Sequence, residues 1–193
     1  MMATIDDHEL ADNAWSGGAK NHEPATEGSF AARRAAARQA FREWLPIRMP
    51  DPADLQKIYR SFDFGSLASL HMLDTRLIGR DEQVSLDSYL AGGASAPTRQ
   101  LLGPDQSAWL SARMAASGST WQLLGSQVLM ARMEIPLSVA TAFNAQTLGD
   151  FLLAQSTPEP LRNDEQRALL AQRRVPYNLD AWDGYPAARE SVL

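Results

Sequence analysis

The chain of 193 residues carries 18 Lys and Arg against 23 Asp and Glu, a net charge of −5, with 45% hydrophobic and 21% charged residues, three His and no Cys. This near-average globular composition excludes a disordered tail or a collagen-like chain, and the acidic total argues against nonspecific duplex binding, which needs a broad basic surface. Without cysteine, disulfide scaffolds, thiolate zinc sites, Cys nucleophiles and iron–sulfur ligation are excluded within this chain.

The N-terminus, Met1-Met2-Ala3-Thr4-Ile5-Asp6-Asp7-His8-Glu9, places acidic side chains where a secretory signal carries basic and then apolar ones. The longest apolar stretches, near Val128–Met130 and Leu148–Leu153, fall far short of the roughly 20 residues of a membrane helix. As written, the chain is expected to stay in the cytoplasm, with no membrane and no nucleic acid as partner. From Phe30 to Leu45, the apolar residues Phe30, Ala37, Phe41, Trp44 and Leu45 recur at helical spacing, with Ser29 as N-cap and Pro46 as the stop. Arg33, Arg34, Arg38 and Arg42 fill its other faces, and a solvated charged face is a commoner reason for such a run than a phosphate site.

Ile58–Phe64 alternates apolar and polar residues, Gly65 follows, and Leu67–Leu73 runs on to Asp74-Thr75-Arg76, which predicts a β-hairpin. Residues 79–103, with Gly92-Gly93, Ser95 and Pro97, read as a long surface loop. Pro104 and Asp105 open a second helix with Trp109, Leu110, Arg113, Met114 and Ser117 along one side, closed by Gly118. Thr120–Leu124 predicts a buried strand ending in the turn Gly125-Ser126-Gln127, a place where α/β sheets put chemistry. Residues 136–160 read as a second irregular insertion with a short helix around Ala145–Gln155, and Arg162–Arg173 as another helix capped by Asn163. The tail Leu179–Glu190 reads as an aromatic turn leading into a helix near Pro186. His22 is expected in an exposed loop and His71 as a hydrogen-bonded core histidine.

The densest ionisable group is Asp6-Asp7-His8-Glu9, followed by Asp12-Asn13-Ala14-Trp15. Hard oxygen ligands beside an imidazole suit a divalent or trivalent metal, although an acidic run near a terminus is more often simply solvated.

Six segments in one order carry a wider resemblance: Asp6-Asp7-His8-Glu9, Ala11-Asp12-Asn13-Ala14-Trp15, Phe41–Arg48, Leu73-Asp74-Thr75-Arg76, Thr120–Gln127, and Trp182-Asp183-Gly184-Tyr185-Pro186. Together they resemble the PhoD-type alkaline phosphatases of the calcineurin-like metallophosphoesterases. The resemblance implies an α/β fold, a four-layer α/β/β/α sandwich whose strand ends converge on two metals, iron and calcium, to hydrolyse phosphomonoesters or phosphodiesters. It implies that Asp7 is a metal ligand and that His8 stabilises or protonates the leaving oxygen, with Asp6, Glu9 and Asn13 in support. Four further residues are candidates for contact with the phosphate ester. Arg76 would bind a phosphate oxygen unless it pairs with Asp74 or Asp81, Gln127 would line the site or end the sheet, and Trp182 and Tyr185 would wall the cleft or pack in the core.

Departures from the family pattern matter equally. The late Gly-His segments are absent, and the one Gly-Asp pair, Gly149-Asp150, is followed by Phe151-Leu152. The cysteine ligand is absent as well. The resemblance therefore implies that residues 1–193 form a single incomplete metallophosphatase domain, a partial sandwich with terminal strands missing and Met2–Ile5 as the remnant of one strand. Such a chain is expected to have little or no phosphatase activity by itself. Its unpaired sheet edges would invite association, and the alternative function is a noncatalytic module that complements another chain. Members of the family are commonly exported, against the cytoplasmic reading of the N-terminus.

Overall fold

The computed structural model describes residues 2–193. After one turn of helix at Pro24–Glu27 (α1), the Ser29 hydroxyl accepts the Ala32 amide and starts the predicted helix, Phe30–Trp44 (α2). Phe30 and Phe41 of α2 pack with Ile5, Leu10, Ala14, Ile58 and Leu77 into a first apolar core. The arginine face is not simply solvated. Arg38 is 2% exposed and donates to Asp74 at 3.3 Å, and burial pulls its guanidinium below the ordinary value while Asp74 opposes that shift. His22 also departs from expectation: its side chain is 2% exposed and lies edge-on to Phe30, with ring centroids 5.3 Å apart.

The hairpin forms as predicted, Arg60–Phe64 (β1) against Ala68–Met72 (β2), with Phe62 opposite Leu70. Gly65, at φ 57, supplies the left-handed turn that a Cβ would oppose. His71 is fully buried in β2, its Nδ1 lies 2.7 Å from the Ser61 hydroxyl, and desolvation pushes the imidazole below its ordinary value. Trp121–Gly125 (β3) joins β2 in parallel, giving the order β1-β2-β3. A parallel neighbour requires a long crossover, here residues 73–120 with Leu86–Leu90 (α3) and Pro104–Ala116 (α4). Residues 79–103 thus contain α3 rather than loop alone. β3 was expected to be buried, yet it is an edge strand, and Trp121 and Leu123, which share one of its faces, are 62% and 48% exposed.

The second insertion carries Leu137–Thr141 (α5), which was not expected, and then the expected short helix, Ala145–Ser156 (α6). Asn144 caps α6 by accepting the Gln146 and Thr147 amides, and Asn163 caps Asp164–Leu170 (α7) as predicted. Two three-residue strands, Glu134–Pro136 (β4) and Arg174–Pro176 (β5), pair antiparallel with Ile135 opposite Val175. Pro186–Glu190 (α8) follows the aromatic turn. Residues 2–5 form no strand; Thr4 is tied instead by its hydroxyl to the Leu73 carbonyl at 2.8 Å. The result is a mixed α/β structure with a three-stranded and a two-stranded sheet. No helix among the described residues is long and apolar enough to cross a membrane.

Candidate functional site

The acidic segment folds on itself. The Asp7 carbonyl accepts the Leu10 and Ala11 amides at 2.8 and 2.7 Å, and the buried Leu10 and Ala11 anchor the turn in the first core. Asn13 sits at φ 51, a left-handed conformation that Asn tolerates. Its amide donates to Asp7 Oδ2 at 3.0 Å. This closure brings Asp12 to Asp7 and His8, so that one ligand atom from each lies within 4.8 Å of the others. Asp7 is 6% exposed, whereas the His8 side chain is 85% exposed, with Nε2 4.0 Å from Asp7 Oδ2. Burial raises the Asp7 carboxyl, but the Asn13 amide and the Arg76 guanidinium outweigh it and hold the group below its usual range. Lys20 Nζ lies 3.5 Å from Asp12 Oδ2, the place a metal cation would contest. Glu9 stands apart, its carboxylate accepting the Asp6 amide at 2.9 Å.

Behind the turn, Arg76 is 3% exposed and meets three carboxylates. Its Nε donates to Asp6 at 2.7 Å, its Nη1 to both Asp180 oxygens at 2.7 and 2.9 Å, and its Nη2 lies 3.5 Å from Asp7. Desolvation disfavours the charged guanidinium, yet Asp180 and Asp6 more than compensate and raise its pKa. The partner expected from sequence, Asp74, instead accepts the backbone amides of Arg76 and Leu77 at 2.9 and 2.8 Å, and Asp81 accepts the Gln100 amide. With its fork filled by carboxylates, Arg76 orients acidic groups rather than presenting a free fork to phosphate. Asp180 also pairs with Arg80, which is fully buried and lies 5.0 Å over the Tyr185 ring.

The other candidates divide. Gln127 borders the site but is fully engaged: its amide donates to Thr4, Ile5 and Leu73, and its carbonyl accepts the Thr75 hydroxyl. Trp182 and Tyr185 do not wall the cleft. Both are fully buried in a second core with Leu73, Leu101, Leu102 and Leu110, Trp182 donating to the Ser126 hydroxyl and Tyr185 to the Asp81 carbonyl.

Asp6, Asp7, His8, Asp12 and Asn13 open onto a cavity of about 340 Å³, which Arg76, Asp180 and Asp183 also border. Two carboxylates and an imidazole suit one hard cation. Because calcium takes roughly six to eight oxygens, most of its shell would stay open to water or to an ester oxygen. Asp7, His8 and Asp12 are the one such group of three among the described residues, so the residues present fit one ion and not a two-metal clamp.

A model of the PhoD-like phosphatase family matches residues 1–193. The chain is 32% identical to alkaline phosphatase D of Bacillus subtilis (strain 168), over 100% of this chain and 27% of that protein. It is also similar to the solved "Structure of PhoD", with a TM-score of 0.67 and 30% identity over 98% of this chain and 30% of that one. The chain therefore spans less than a third of the length of either relative.

Proposed function

The chain belongs to the PhoD-like phosphatase family, and from that premise we propose that it carries one cation-binding part of a phosphoric ester hydrolase centre. The convergence of Asp7, His8 and Asp12 on the cavity supports this reading. Asp7 and Asp12 would hold calcium or ferric iron, and His8 would give a proton to the departing oxygen. A bound cation lowers the pKa of its water and polarises the phosphoryl oxygen. Arg76 keeps Asp6, Asp7 and Asp180 in register, and the three-stranded sheet forms part of the four-layer sandwich. Alone, the chain hydrolyses phosphomonoesters and phosphodiesters slowly or not at all, because its ligands hold one ion where the clamp on attacking and leaving oxygens uses two.

Two measurements test this. Calorimetry should detect calcium binding, weakened about tenfold or more by Asp7→Asn, and p-nitrophenyl phosphate should turn over at background with calcium and iron present. Metal-dependent turnover lost in His8→Ala would overturn the inactivity of the lone chain while keeping the hydrolase centre. Absence of cation binding would remove the centre itself. A second reading, a module that completes the sheet of another chain, is favoured by the exposed edge of β3.

A further inference from the structure

A wall with no part in holding a cation also lines the cavity. Leu129, Met133 and Tyr177 are 50%, 46% and 42% exposed, yet all three border the cavity that Asp7 and His8 border. Single exposed apolar residues need no explanation, but three converging on one polar cavity have the lining of a ligand pocket. Their backbones are held in place. The Trp182 amide donates to the Leu129 carbonyl at 3.3 Å, the Met133 amide to Asp183 Oδ2 at 3.1 Å, and the Tyr177 amide to the Met133 carbonyl at 2.8 Å. Phe143 packs edge-on against the Tyr177 ring, with centroids 5.7 Å apart. Met133 and Tyr177 directly flank β4 and β5, so the two-stranded sheet fixes the wall.

We propose that this wall is the subsite for the alcohol portion of the ester, and that it selects esters whose alcohol is apolar and at least the size of an aromatic ring. The inference rests on the phosphoester reading of the site. Charge divides the cavity: a cation held by carboxylates attracts the phosphoryl group, and the apolar side is left for what the phosphate carries. A cavity of about 340 Å³ holds more than a phosphate group, and Tyr177 brings an aromatic side chain to its lining against which a second ring can pack.

Phenylphosphonate and methylphosphonate share a head group that is not hydrolysed and differ in their apolar part. Titrated calorimetrically into the calcium-loaded chain, phenylphosphonate should bind about tenfold tighter, the order of effect expected from burying a ring. Tyr177→Ala should reduce that preference to about twofold or less, and Tyr177→Phe should retain it, since the ring and not the hydroxyl makes the contact. Equal affinity of the two ligands for the unaltered chain, or a preference untouched by Tyr177→Ala, would overturn the subsite and leave the phosphoester reading standing. Failure of both ligands to bind would overturn both.

Discussion

Arg76 draws Asp6, Asp7 and Asp180 onto one buried guanidinium. Asp180 keeps Arg80 and Asp6 is partly solvated, but without Arg76 the Asp7 carboxylate is buried with no cation beside it, and breaking a buried pair in this way costs up to about 3–5 kcal/mol. Arg76→Met is therefore expected to lower stability in urea unfolding by about that amount. Calcium should restore part of it, because the freed carboxylates become ligands and an ion that binds the folded state stabilises it. Arg76→Lys should recover only a minor share, since an ammonium cannot reproduce contacts made separately by Nε, Nη1 and Nη2. Unaltered stability in Arg76→Met would show that the network carries no net weight. At this scale the sequence reveals what is contiguous. Asp7 and His8 are adjacent and legible, whereas Asp12 joins them only through the left-handed turn at Asn13. Asp180 stands 104 residues from Arg76, and no local pattern ties the two together.

The crossover between β2 and β3 is pinched where its long excursion begins and ends. A Cβ on Gly79 would lie 2.5 Å from the Gly103 Cα, and Gly103 is itself at φ 74. That contact, like the 2.9 Å one that a Cβ on Gly103 would make with the Gly79 Cα, is with backbone, which cannot swing aside, so Gly79→Ala should cost about 1–3 kcal/mol through overpacking. Urea unfolding of the variant checks this, and a change of a few tenths would mean that the two ends separate freely. The same two glycines bound the loop read from composition, so its extent was legible although α3 within it was not. Helices declared themselves where caps are chemical: Ser29, Asn163 and Pro104 each mark a true start. β3 was placed correctly but assigned to the wrong environment, because a short apolar run looks alike in a core and at an edge. β4 and β5 are three residues each, too short for alternation to register.

At the scale of the molecule, the three-stranded sheet ends on a strand that pairs on one side only, among the described residues. The other side of β3 presents unpaired amides and carbonyls between the exposed Trp121 and Leu123, and Phe64 and Leu67 are exposed at the hairpin tip. Natural edges are blunted by lysine, proline or bulges, and Trp121-Gln122-Leu123-Leu124-Gly125 contains neither lysine nor proline. Sedimentation velocity over a dilution series should therefore show concentration-dependent association. Leu123→Lys should abolish it by burying a charge in any strand-to-strand contact, whereas Leu193→Lys, at a position 82% exposed and outside β3, should not. A chain that stays monomeric throughout would remove the assembly reading. Because β3 does not border the cavity that Asp7 and His8 line, Leu123→Lys should leave calcium binding unchanged, which separates assembly from the proposed cation site in one variant.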